Sequence, residues 1–278
     1  MKRTLLFLLF VLACTGGVVA QQADYRLEKN IAYRPANGDA YIDSHCRLDL
    51  YYPTREAGFA TLIWYHSGGL RGGERELPRQ LTEQGIAVVA VEYRLSPRVQ
   101  VRDCIADAAA AAAWVVGHIA QYGGDPKLIF VGGHSAGGYL TSMIGMDKRW
   151  LAPYGIDPDT AFKALIPYSG QAVTHFERRR EMGVADTQIL VDELAPLYHV
   201  RPDCPPMLIL SGDRELEMLG RYEENAYFWR MMQVVGHPSV ELVELQGFDH
   251  GNMPQAGHFV ALRYLRKMVA EARKNGAQ

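Results

Sequence analysis

The chain has 278 residues, 48% of them hydrophobic and 22% charged, with Lys+Arg 29 against Asp+Glu 31 for a formal charge of -2. That balance excludes a disordered or low-complexity chain and leaves no global basic field to draw in nucleic acid or an anionic membrane. Four cysteines in this length do not make a disulfide scaffold, and a chain of this size can fold as one domain that covers a sheet on both faces.

Residues 1–20 read as an export signal. Lys2 and Arg3 give a positive start, residues 5–12 form an apolar run too short to cross a bilayer, and small residues lead to Ala20. A competing pattern, Val11-Leu12-Ala13-Cys14, resembles a bacterial lipobox with Cys14 as the lipidated residue. Both readings place the working domain, residues 21–278, outside the cytoplasm. Cys46, Cys104 and Cys204 remain there as an odd set, expected as buried thiols. No C-x-x-C or H-x-x-x-H spacing points to zinc, and neither metal nor cofactor is expected.

After the signal, β-rich apolar runs alternate with helical patterns. Strands are predicted over residues 25–33, 46–52, 61–66, 86–93, 127–132, 164–168, 207–210 and 240–245. The central ones (TLIWYH, IAVVAVEY, KLIFVGG, PMLIL) are apolar throughout, as strands covered on both faces must be. Helices are predicted over 75–84, 101–122, 136–146, 221–235 and 258–274; the alanine run 108–113 suits close packing on a sheet. Alternation of this kind argues a parallel sheet with right-handed crossovers. The first two strands lack an intervening helix, so that edge is expected to be antiparallel. Residues 169–205 hold no obvious strand and could form a cap over an active site; their charge run 177–181 equally suits a solvated surface helix.

Gly133-His134-Ser135-Ala136-Gly137 matches G-x-S-x-G. The pattern is weak alone, but here it follows a predicted strand and opens a predicted helix, the setting a nucleophile elbow needs. Serine at its free pKa needs a positioned base. His250 is the best candidate, in the glycine-flanked loop Gly247-Phe248-Asp249-His250-Gly251 after the last strand. His258 falls at a helix start, His237, His199 and His175 precede the last strand, and His134 is expected to point away from the serine. The acid belongs after the strand PMLIL, where Asp213 and Glu215 are both available; Glu217 reads as solvated. One oxyanion donor is expected from the Ala136 backbone N–H. The second is expected from His66-Ser67-Gly68-Gly69, with Gly68 first, then Gly69 and Ser67, and His66 bracing the loop.

HSGG after a strand, VAVEYRLSP, an aspartate-led alanine helix ending in Trp114-Val115, YGGDPKLIFVGGHSAGG, PPMLILSGDRE and GFDHG together resemble the esterase/lipase group of α/β-hydrolases. That group includes hormone-sensitive-lipase-like carboxylesterases and feruloyl and acetyl-xylan esterases. The resemblance covers nearly all of residues 45–273. It implies the α/β-hydrolase fold, an eight-stranded and mostly parallel sheet with helices on both faces. It also implies two-step acyl transfer through an acyl-serine, without metal or organic cofactor, and an acid three residues after the glycine of the turn, which favours Glu215 over Asp213. Ser67 stands where the group carries a glycine.

The leading functional expectation is a secreted serine esterase for small acyl esters, such as acetyl or feruloyl groups on carbohydrate. Amide hydrolysis, of formylkynurenine or peptides, would use the same machinery. A silent binding module on the same fold is the third reading. Tyr168, Tyr198 and Phe176 are candidates to line the substrate pocket, or ordinary core and rim aromatics.

Overall fold

A computed structural model describes residues 24–276; the proposed signal, residues 1–20, and Cys14 lie outside the described residues. The chain runs β1 (Tyr25–Ala32), α1 (Ala40–His45), β2 (Arg47–Pro53), β3 (Phe59–Tyr65), β4 (Ala87–Val91), α2 (Val101–His118) and β5 (Gly124–His134). It continues α3 (Ala136–Met146), α4 (Pro158–Ala161), β6 (Ala164–Tyr168), α5 (Phe176–Glu181), β7 (Met207–Gly212), α6 (Arg221–Val234), β8 (Val240–Leu245) and α7 (Met253–Gly276). The strands form one eight-stranded sheet in the order β1-β2-β4-β3-β5-β6-β7-β8. The β1/β2 and β2/β4 pairs are antiparallel and every other pair is parallel, which is the α/β-hydrolase fold.

The unbroken apolar strands are explained by two cores, one on each face. Alternate residues of β3 divide between them: Phe59, Ile63 and Tyr65 join one core, Ala60, Leu62 and Trp64 the other. Ile129 and Val131 of β5 and Met207 and Ile209 of β7 follow the first, while Leu128, Phe130, Leu208 and Leu210 follow the second. The first core is covered by α2, α3 and α6, through Ala108–Ala112, Leu140 and Phe228; the second is covered by α7, through Leu262 and Leu265. Cys46, Cys104 and Cys204 are buried.

Three helix expectations change. The short α1 stands between β1 and β2, where no helix was expected, and the pair is antiparallel all the same. Residues 75–84 form only a 3-10 turn over Arg79–Leu81: Pro78 keeps the residue before it out of the helical region, and past the turn Thr82 is extended (ψ 151°) and Glu83 takes φ 59°. The last helix starts at Met253 instead of 258. Asp249 opens it, its carboxylate accepting from Gly251 N and Asn252 N and its carbonyl from Met253 N. His258 is therefore inside the helix.

The stretch 169–205 contains α5 and a 3-10 turn at Pro196–His199 and is anchored to the body of the domain. Ser96 Oγ donates to Glu177 (2.9 Å), Val101 N to Glu181 (2.6 Å) and Tyr139 Oη to the Leu194 carbonyl (2.7 Å). The run 177–181 is thus not simply a solvated face: Glu177 and Arg179 are buried.

Beneath the antiparallel edge, Asp107 of α2 is fully buried and accepts from Arg34 Nε (2.8 Å) and from Arg94 Nε and Nη2 (2.7 and 2.8 Å). This carboxylate joins α2 to the segments after β1 and β4. Asp107→Ala should destabilise the protein by about 3 kcal/mol in urea unfolding, the low end for a broken buried ion pair, because both arginines keep some solvent contact.

Candidate active site

The strand β5 ends at His134, and α3 begins one residue after Ser135. Ser135 holds φ 55° and ψ −112°, a conformation unfavourable for a residue with a side chain. The turn closes because its flanking glycines have no Cβ. One on Gly137 would lie 2.0 Å from the Tyr65 carbonyl oxygen of β3, and one on Gly133 would lie 2.6 Å from the Gly137 carbonyl. The spacing G-x-S-x-G is therefore a steric requirement of this turn, and Ser135 N is held by the Tyr168 carbonyl at 2.8 Å.

Ser135 Oγ donates to His250 Nε2 at 2.9 Å, and His250 Nδ1 donates to Glu217 Oε1 at 2.5 Å. Of the sequence-derived candidates, the structure brings Ser135 and His250 together. It does not bring Asp213 or Glu215 to them, and this corrects the expected acid. After β7 the chain makes a helical turn in which Leu216 N and Glu217 N both donate to the Asp213 carbonyl (2.9 and 2.7 Å). That turn sends Glu215 to solvent and Glu217 inward, where it is buried. Asp213 is engaged elsewhere, its carboxylate accepting from Glu215 N (2.9 Å) and Gly247 N (2.8 Å). The offset from the glycine, carried over by resemblance, missed this because the helical turn after Asp213 puts Glu215 on its outer side and Glu217 on its inner side. Glu217, solvated by the sequence pattern, is the residue facing the imidazole.

Glu217 is held on every side. Oε1 also accepts from Met218 N (2.9 Å), and Oε2 accepts from Ser169 Oγ and from Gly212 N (3.2 Å). Burial pushes the carboxyl up, but the hydrogen bonds from His250 and Ser169 and the His250 charge outweigh it and hold it down to about 2. No spacing rule identifies Ser169; its position at the exit of β6, beside β7, is the only signal that could have suggested it.

The loop after β3 is a tight turn in which the Gly68 carbonyl accepts from Arg71 N (3.0 Å) and Gly72 N (3.1 Å). Gly68 adopts φ 116°, and a Cβ there would lie 2.0 Å from the Gly72 oxygen. Ser67, Gly68, Gly69 and Ala136 line the cleft beside Ser135. His66 braces the turn. Nδ1 donates to the Ser67 carbonyl (2.6 Å), Nε2 faces Glu92 (3.2 Å), and the ring stacks on Tyr93 at 4.3 Å.

Ser135 opens into a cleft of about 690 Å³. The segments after β6 and β7 contribute Gln171, His175, Phe176, Met218 and Arg221 to its lining; the segment after β3 contributes Glu76, Leu77, Pro78, Arg79 and Gln80, and the start of α7 contributes Pro254, Gln255 and His258. Phe176 is the one aromatic candidate that lines the cleft. Tyr168 is fully buried against Trp64 and His258, and Tyr198 is exposed outside it. His134 does not point away, because its ring packs on His250 at 4.8 Å. Burial first, then the neighbouring His250 charge, holds it down to about 3, so it is neutral and not a competing base.

This fold, with a serine, a histidine and a carboxylate in hydrogen-bonded sequence, places the chain among the α/β-hydrolases. Residues 48–218 match the BD-FAE family, and the chain belongs to that family. It is 31% identical over 241 residues to a probable carboxylic ester hydrolase, LipM, of Mycobacterium tuberculosis, covering 78% of this chain and 54% of that protein. It is 30% identical over 263 residues to the esterase LipQ of the same organism, covering 87% and 60%. The chain thus spans little more than half the length of these curated relatives. Among solved structures it resembles a truncated carbohydrate esterase from gut microbiota, with a TM-score of 0.73, 17% identity and coverage of 90% and 99%. It also resembles esterase 2 of Thermogutta terrifontis phosphoramylated by tabun, with a TM-score of 0.66, 25% identity and coverage of 89% and 95%.

Because Glu217 is held below its ordinary value of 4.5, its contribution to stability is complete above that pH and is lost as the pH falls through about 2. Glu217→Gln lacks this component. The stability gap between wild type and the variant should therefore narrow from about pH 4.5 downward, as read by urea unfolding across a pH series.

Proposed function

We propose that the protein is a serine carboxylester hydrolase in which Ser135, His250 and Glu217 form the catalytic triad. The observation that carries this reading is the hydrogen-bonded chain from Ser135 Oγ through His250 to the buried Glu217 carboxylate, set at the base of an open cleft. As Ser135 attacks the ester carbonyl, its proton passes to His250 Nε2. Glu217 holds the ring by Nδ1 and stabilises the imidazolium that forms. The negative oxygen of the tetrahedral intermediate is met by backbone N–H groups of Ala136 and Gly68, with Gly69 adjacent; one such donor is worth about 3 kcal/mol in the transition state. His250 then returns the proton to the leaving alcohol, and a water activated by the same histidine releases the acid from the acyl-serine.

The substrates we infer are esters of small acyl groups with a polar alcohol, including acetyl or feruloyl esters of carbohydrate. What supports this is the outer cleft, where Glu76, Arg79, Gln80 and Gln255 offer hydrogen bonds to hydroxyl groups. The likeness to a gut carbohydrate esterase agrees with it. Export from the cytoplasm is proposed on the pattern of residues 1–20 alone.

With 4-nitrophenyl acetate, Ser135→Ala should lower kcat by about 10⁴ or more and abolish labelling by a fluorophosphonate probe. Glu217→Ala should lower kcat by about 10⁴ while Glu215→Ala stays near wild type. The reverse order for the two glutamates would return the acid to position 215, and equal rates for wild type and Ser135→Ala would reject the serine mechanism.

A further inference from the structure

One part of the cleft lining has a chemical bias that the esterase reaction does not require. Gln171, His175 and Arg221 all line the cleft, yet their exposures are only 3%, 3% and 4%. Each is fixed by bonds to the protein that use particular atoms. Gln171 Oε1 accepts from Phe176 N at 3.2 Å, which leaves the amide NH₂. His175 Nδ1 accepts from Glu177 N at 3.2 Å, which puts the ring proton on Nε2. Burial, and then the charges of Arg221, Arg179 and Arg180, hold this imidazole down to about 3, so it stays a neutral donor across the working pH range. Arg221 donates through Nε to Glu224 (2.7 Å) and through Nη1 to the Ser169 carbonyl (2.5 Å), which leaves Nη2.

The three remaining groups are therefore all N–H donors. Their supports are rigid. Glu224 also accepts from Ala172 N (3.0 Å) and Val173 N (3.1 Å), and Asn225 donates to the Gly170 carbonyl (2.9 Å). A set of fixed donors with no acceptor among them suits a group that can only accept. A hydroxyl would leave its own proton unpaired against it, whereas a carboxylate offers only lone pairs and gains charge-assisted bonds from a guanidinium.

We propose that Gln171, His175 and Arg221 form a subsite for a free carboxylate carried by the substrate beside its scissile ester. The proposal rests on the esterase reading and narrows it. Two sources share this chemistry: a half-ester of a dicarboxylic acid, with the charge on the acyl side, or an acylated uronic acid, with the charge on the alcohol side. The wild-type enzyme tests both without any variant. One arm compares 4-nitrophenyl monosuccinate with the neutral 4-nitrophenyl pentanoate. The other compares O-acetyl galacturonic acid with its O-acetyl methyl ester.

In at least one arm, kcat/KM for the carboxylate member should exceed that of its neutral partner by about tenfold or more, the value of a charged hydrogen bond. The arm that shows it identifies the side of the ester. The preference should reside in KM and should shrink in Gln171→Leu and in His175→Phe. Ratios near one or below in both arms overturn the subsite, and so does a preference that both variants retain. The esterase reading fails separately, if wild type turns over none of the four esters or if Ser135→Ala turns them over equally well.

Discussion

A carboxylate sealed inside a protein costs several kcal/mol unless every lone pair finds a donor, and the active end of this molecule is arranged around one such group. Glu217 gathers a hydroxyl from the exit of β6, a backbone N–H from the end of β7, the N–H of Met218 in its own loop, and the imidazole from the loop after β8. Three adjacent parallel strands must therefore end at matching heights for the carboxylate to be satisfied. The alignment of His250 with Ser135 follows from that match, because a ring held at Nδ1 has only one edge left to offer the serine.

The sheet supplies the heights. Tyr65 at the end of β3, His134 at the end of β5 and Tyr168 at the end of β6 stand in near register, with Tyr65 paired to Gly133 and His134 to Tyr168. The carbonyls of Tyr65 and Tyr168 then both press on the turn that carries Ser135, one excluding a Cβ at Gly137 and the other accepting the serine N–H. The two cores keep those strand ends fixed, since a slip of one residue would exchange every side chain between faces. Precision at the serine is thus a by-product of packing well below it.

Much of this was legible because it rests on local rules. Apolar runs without alternation mark strands buried on both faces, and glycines two positions either side of a serine mark a turn with no room for Cβ. His250 was legible from its place after the last strand. Glu217 was not, because its identity depends on how the eight residues between β7 and α6 turn and on which carboxylate is needed for that turning. Asp213 precedes it, is close to the expected place, and is occupied with the backbone of the next loop. The failed helix at 75–84 has a local reason, Pro78, that apolar spacing does not register. Tyr168, pocket or core by sequence, has its side chain in the core shared with α7. Only the three-dimensional packing separates a rim aromatic from a buried one.

Asp213 joins the loop that carries Glu217 to the loop that carries His250, through Gly247 N on its carboxylate and through its own N–H on the Phe248 carbonyl, both at 2.8 Å. Two hydrogen bonds thus couple the two loops, so a shift of either acts on the other beside the contact between carboxylate and imidazole. This coupling also restricts how such a site can drift over generations. The aspartate nearest in sequence cannot take over the contacts of Glu217 without giving up its own bond to Gly247 N, which is one of the two that tie the loop of His250 to it.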